Sequence, residues 1–130
     1  MTRFDSALDV AAAIRAKEVS PLEVLDHYLA RVDELDPQLN AFSLRDDERA
    51  RAEAKAAADR LAGTSVDELP PFLGVPIPIK DLNAVAGWPT SYGSMAVPDT
   101  PEERDDPVVE RFREAGFVLM GKTTTPEFGT

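Results

Sequence analysis

The run from Pro71 to Asp81, PFLGVPIPIKD, delivers one lysine, Lys80, at the end of a mostly apolar stretch, and no other basic residue lies between Arg60 and Arg104. A lysine carried there has two readings. Desolvation penalises an ammonium, so Lys80 could serve as a neutral amine, a general base toward a hydroxyl. Alternatively it pairs with the adjacent Asp81 or snorkels to water as a surface charge. Spacing alone leaves both open.

Other groups that could do chemistry are weaker. Gly116 to Thr123, GFVLMGKT, has the spacing of a Walker A loop. A phosphate cradle needs a flexible loop with amides aimed at the ligand and a helix opening at the lysine. Here Phe117, Val118, Leu119 and Met120 favour a buried strand, and Pro126 closely follows Lys122. His27, the single histidine, falls in the middle of a helical pattern, and no serine stands in a nucleophile-elbow setting. Ser91 and Ser94 lie in PTSYGSM, where turn formation explains them. Asp99, Glu102, Glu103, Asp105 and Asp106 lack EF-hand spacing and read as a solvated acidic loop. With no cysteine, a thiolate nucleophile, a disulfide framework and cysteine-bound metal are excluded. No cofactor or metal is implied.

The elements that must position these groups divide by composition near residue 63. Of eleven prolines, nine fall from Pro70 onward, so the first part should be helical and the second built of strands, turns and one helix. A first helix is expected over Ser6 to Lys17, capped by Ser6, with Leu8, Ala11, Ala12 and Ile14 on one face. Ser20, Pro21 and Glu23 give a serine cap, a first-turn proline and a capping-box acid; Leu22, Leu25, Leu29 and Val32 follow at helical spacing, and Pro37 should stop that helix. AFSL, residues 41–44, reads as a short strand. Asp46 to Ala62 reads as an alanine-rich helix with i,i+4 pairs Asp47 with Arg51, Arg49 with Glu53 and Lys55 with Asp59, ended by Gly63.

Val75, Ile77 and Ile79 alternate with Pro76, Pro78 and Lys80. That is strand spacing, but two prolines demand an edge or a bulge. The turn-rich connection over residues 83–99 is long, as functional loops often are. Asp106 and Pro107 open a helix with Val108, Val109 and Phe112 facing inward, and Phe117 to Met120 form a buried strand. The fold class is α/β: N-terminal helices, residues 1–62, then residues 63–130 carrying part of a mixed sheet flanked by helices. The net charge of -10 argues against nucleic-acid or anionic-membrane partners. No signal peptide or membrane span is indicated, which makes a cytoplasmic location the expectation.

The ordered segments ALDVAAAIRAKEVSPLEVL, LNAF, FLGVPIPIKD, AGWPTSYGS and DDPVVERFREAGFVLMGKTTTPEFG resemble the N-terminal region of the amidase signature hydrolases, from about Leu8 to Gly129. The resemblance implies an incomplete amidase signature fold, the two segments forming the first part of one larger domain. It also implies that Lys80 is the lysine of a Ser-Ser-Lys triad. In such enzymes the lysine takes a proton from a serine held in a cis peptide, which relays it from the serine that attacks the amide carbonyl; an acyl-enzyme forms and water releases the acid. Gly93, Ser94 and Met95 become candidate substrate neighbours.

Both serines of that triad belong to a downstream glycine- and serine-rich segment, resembling GGSSGGS, that the 130 residues do not contain. The chain alone is therefore expected to be inactive. KDLNAVAG stands where amidotransferase A subunits usually read KDN, and KTTT stands for KTNM, which leans toward a stand-alone amidase. The alternatives are an A subunit of a glutamyl-tRNA amidotransferase-like complex, or a non-catalytic assembly module. The partners implied are a small-molecule amide substrate and the remainder of the same polypeptide, with a homo-oligomer left open. An isolated piece should expose a raw sheet edge and apolar helix faces.

Overall fold

A computed structural model describes residues 6–130, so residues 1–5 of the N-terminal segment lie outside the described residues. Among the described residues four α-helices and three strands follow in the order α1 (Ala7–Arg15), α2 (Pro21–Leu39), β1 (Phe42–Arg45), α3 (Asp47–Gly63), β2 (Pro76–Lys80), α4 (Pro107–Glu114) and β3 (Val118–Thr123). The sheet is mixed: β3 is central, antiparallel to β1 and parallel to β2. The strand expected at residues 41–44 thus comes from the helical first part and pairs with the last strand of the chain.

Local chemistry sets the helix ends. Ser6 accepts from the Asp9 amide, and α2 opens on a complete capping box in which Ser20 and Glu23 bind each other's backbone amides. Those bonds hold the Glu23 carboxyl below its usual range. Asp46 caps α3 by accepting from the Arg49 amide. Each such cap is worth about 1 kcal/mol.

Three expectations need correcting. Pro37 does not stop α2, which runs on to Leu39 and ends where Asn40 turns left-handed at φ 51°. Near a C-terminus the proline forfeits only its own amide bond, and Asp36 then collects the departing chain by accepting from the amides of Ala41 and Phe42. In α1 the buried residues are Val10, Ala11, Ala13 and Ile14, while Leu8 is exposed and Ala12 faces solvent. In α4 Val109 is fully buried but Val108 is exposed, because an eight-residue helix lying on the sheet can turn only one narrow stripe inward.

Of the three ion pairs expected along α3, Arg49 with Glu53 and Lys55 with Asp59 form, whereas Arg51 reaches Asp26 of α2 and Asp47 binds Arg45. One face of the sheet packs Val118 and Met120 against Leu25 and Leu29 of α2 and Ala50 and Ala54 of α3. The other packs Ile79 and Leu119 against Val109 of α4 and Val85 and Trp88 of the long loop. Burying each such Val or Leu contributes about 1.5–3 kcal/mol. Both edges of the sheet are free among the described residues. An apolar groove of about 380 Å³ runs between α1, α2 and β2, with Leu35 and Leu39 exposed beside it.

Candidate active site around Lys80 and a second, buried lysine

The two prolines of β2 are accommodated at a sheet edge and beside an irregularity, both of which their missing amides call for. In the pairing of β2 with β3, Ile77 stands opposite Leu119 and Ile79 opposite Lys122. Two steps along β2 therefore match three along β3. The extra residue is a bulge, and a one-residue slip exchanges the faces of every side chain beyond it. Simple alternation would send Lys122 toward α2 and α3 with Val118 and Met120. The bulge turns it instead to the face of Leu119, beneath the long loop.

Gly121 makes this possible. Its φ is 150°, and a Cβ there would collide with the Leu44 carbonyl oxygen of β1. Only a residue without a side chain fits so close an approach of two backbones.

Lys122 is fully buried, at 0% exposure. Its ammonium is 3.1 Å from Asp81 Oδ1 and donates to the Asn83 carbonyl (2.8 Å), Thr90 Oγ1 (3.1 Å) and the Pro89 carbonyl (3.5 Å). Asp81 is itself only 3% exposed. Its carboxylate also accepts from the Ser91 amide (3.2 Å), the Ser91 hydroxyl and the Ser43 hydroxyl of β1 (3.3 Å). Buried charges need this degree of pairing, since an unpaired one costs several kcal/mol.

Lys80 ends β2 next to this network. Opposite Thr123 in register, it lies on the other side of the strand from Ile77 and Ile79 and is exposed. The sequence-based alternative that Lys80 pairs with Asp81 does not hold: successive residues point to opposite faces, and Asp81 turns to Lys122. The backbone around Lys80 is held from both ends. Its carbonyl accepts from the Asn83 amide at 3.0 Å, and the Asp81 amide donates to the Thr123 carbonyl at 3.0 Å.

The loop of residues 83–99 is tied down at several points. Trp88 is buried and donates its indole N–H to Asp46 at 2.8 Å, while the Arg49 guanidinium lies 4.7 Å from its ring centroid. Asp105 accepts from the Ala86 amide and pairs with Arg113 at 2.7 Å. Burial opposes the charge of Asp105, but that amide, Arg113 and Arg49 together hold its carboxyl below the usual range. Asp106 accepts from the Ala84 amide.

Of the weaker site candidates, Ser94 is buried and donates to Glu127 at 2.6 Å, Gly93 has φ 69° with Thr125 O too near for a side chain, and Met95 is fully exposed. All three line a depression of about 370 Å³ that Ser91 also borders. Lys80 does not line it; the link between them is Ser91, bonded to the residue after Lys80. His27 is half-buried, its ring edge-on to Tyr28 at 5.2 Å. Gly116 to Thr123 is mostly strand, with no helix opening at Lys122.

What sequence reading missed was Lys122 and its pairing with Asp81. The available signal was a lysine directly after the apolar run FVLMG, a place where a charge must find a partner.

A family profile described as Amidase matches residues 23–130. The chain belongs to the amidase signature family. A Synechocystis relative in this family is 44% identical over 126 residues, which is 96% of this chain and 25% of that protein. The A subunit of the glutamyl-tRNA(Gln) amidotransferase of Methylococcus capsulatus is 40% identical over 120 residues, 92% of this chain and 24% of its own length. Among solved structures, the peptide amidase of Stenotrophomonas maltophilia superposes with a TM-score of 0.85 at 30% identity, over 95% of this chain and 25% of that one. The chain thus spans about a quarter of the length of the curated relatives it matches. Among the described residues no helix is long and apolar enough to cross a membrane.

Proposed function

We propose that this chain is the lysine-bearing N-terminal part of an amidase that hydrolyses carboxylic amides to an acid plus ammonia or amine. The observation that carries the reading is the placement of Lys80. It ends a strand, projects from it, and has its backbone fixed on both sides by hydrogen bonds involving Asn83 and Thr123, in a chain of amidase family membership.

In this reading Lys80 is the base at the end of a proton relay. Its neutral amine takes the proton of a bridging serine, that serine takes the proton of the nucleophilic serine, and the alkoxide adds to the amide carbonyl. The amine leaves protonated, and water resolves the acyl-serine. Lysine suits the task because it has no tautomer to be fixed, but it must be desolvated to be neutral near pH 7. Lys80 is exposed within this chain, so the reading requires further polypeptide to cover it and to supply both serines. The 130 residues alone are then inactive. The protein works in the cytoplasm without a cofactor, and Gly93, Ser94 and Met95 border the substrate.

The test is acyl-enzyme trapping. The full-length polypeptide containing this chain, quenched during turnover of a simple amide, should gain the mass of an acyl group on one serine, and the 130-residue chain should gain nothing. Turnover by the 130 residues alone would contradict the reading. A second reading, an amidotransferase A subunit, draws on the 40% identity to the Methylococcus capsulatus protein. Glutamine hydrolysis that requires partner subunits and tRNA would favour it; KDLN and KTTT lean the other way.

A further inference from the structure

Lys122 and Asp81 are charged, buried and unused by the relay just described. As a source of stability they are a poor choice, because a buried ion pair replaced by apolar side chains of similar volume often leaves a protein as stable or more so. The apolar neighbours of this face, Ile79, Val85 and Leu119, would accept such a replacement.

What the pair does that apolar residues could not is fasten four pieces of backbone at one point. The Lys122 ammonium holds the Asn83 carbonyl, and the Asn83 amide in turn holds the Lys80 carbonyl, closing the turn from Lys80 to Asn83. It also reaches the loop at Pro89 and Thr90, while Asp81 gathers Ser91 and, on β1, Ser43. We propose that the Lys122–Asp81 pair is a positioning device for the base: it fixes the turn that carries Lys80 and balances the charge beside it. The proposal rests on the reading of Lys80 as the amidase base. Neither residue touches the reacting atoms, so both are positioning residues.

The charge balance gives the test a signature that packing alone would not produce. With both partners present, the pair beside the turn that carries Lys80 has no net charge. Lys122→Met leaves the Asp81 carboxylate, which favours the protonated amine of Lys80. Asp81→Asn leaves the Lys122 ammonium, which favours the neutral amine. The other charges bonded to the segments that meet at this pair are the same in every variant: Asp105 and Asp106, which hold the long loop at Ala86 and Ala84, Glu127 bound to Ser94, and Arg45 on β1 paired with Asp33 and Asp47.

The experiment measures kcat, KM and the pH dependence of kcat/KM for amide hydrolysis by the full-length polypeptide, in wild type, Lys122→Met, Asp81→Asn and the double variant, with Lys80→Ala alongside. The expected result is a fall in kcat of about tenfold or more in both single variants, with KM changed much less, as for a misplaced base. The acid limb of the kcat/KM profile should move up by about one pH unit in Lys122→Met, move down by a similar amount in Asp81→Asn, and return in the double variant. Folded single variants with a wild-type kcat, or with acid limbs that stay put or move together, would overturn the proposal. If a single variant fails to fold, the double variant, which has no unpaired charge, decides: a wild-type kcat there overturns it. Full activity in Lys80→Ala would remove the amidase reading itself; an inactive Lys80→Ala beside wild-type profiles in the pair variants would remove only the positioning role.

Discussion

Replacing Lys122 with methionine isolates the energetic role of the buried pair. The side chain keeps most of its length and loses its charge, so Asp81, 3% exposed, is left with an uncompensated carboxylate. Three donors stay with that carboxylate, the Ser91 amide and hydroxyl and the Ser43 hydroxyl. Against them, the Asn83 carbonyl and Thr90 Oγ1 lose their cationic donor. Breaking a buried pair costs about 3–5 kcal/mol, and the three surviving donors place this case toward the lower end, about 3 kcal/mol. Asp81→Asn strands the ammonium among neutral acceptors at a similar cost. The double variant strands nothing and should cost less than either single change. Denaturant unfolding of the full-length polypeptide reads this directly as a fall in midpoint at constant slope. Single-variant losses under about 1 kcal/mol, or losses that simply add in the double variant, would refute the view that the two charges depend on each other.

Other expectations follow from the same contacts. Gly121→Ala drives a Cβ into the Leu44 carbonyl oxygen; it should destabilise by about 3 kcal/mol or more and weaken amide protection in β1, seen by hydrogen exchange. Glu53 joins Arg49 and Arg113 and accepts from the Leu119 amide at 3.0 Å, so Glu53→Ala should cost about 2–3 kcal/mol in a denaturant titration by leaving that amide without a partner. Asp105 has a folded value below its ordinary 3.8. Its contribution is therefore fully present above that value and is lost as pH falls through the lower folded value, so the stability gap between wild type and Asp105→Asn should hold constant near neutrality and shrink below about pH 4.

Much of the framework is written locally. Ser20, Pro21 and Glu23 announce the start of α2, and the capping box forms as read. The prolines at 76 and 78 announce an edge or a bulge, and β2 has both. The apolar run after Gly116 becomes the central strand. The mixed sheet and the amidase signature fold also agree with the sequence reading.

What escaped depends on register. Whether Leu8 or Val10 faces inward is decided by how α1 rotates against the rest of the core, and helical spacing fits both. The inward turn of Lys122 depends on one unmatched residue between β2 and β3, which alternation within a single strand cannot reveal. The glycine that permits it has a meaning only once Leu44 of β1 is beside it. Asp81 was legible as a possible partner for its neighbour, and the partner it takes lies 41 positions away in the chain.

The measurement closest to the central claim is turnover by Lys80→Ala in the full-length polypeptide. The expected result is loss of amide hydrolysis by a factor of about 10³ or more in a protein that still unfolds cooperatively, because the backbone bonds around Lys80 do not depend on its side chain. A folded Lys80→Ala protein that hydrolyses its amide at the wild-type rate would contradict the assignment of Lys80 as the base.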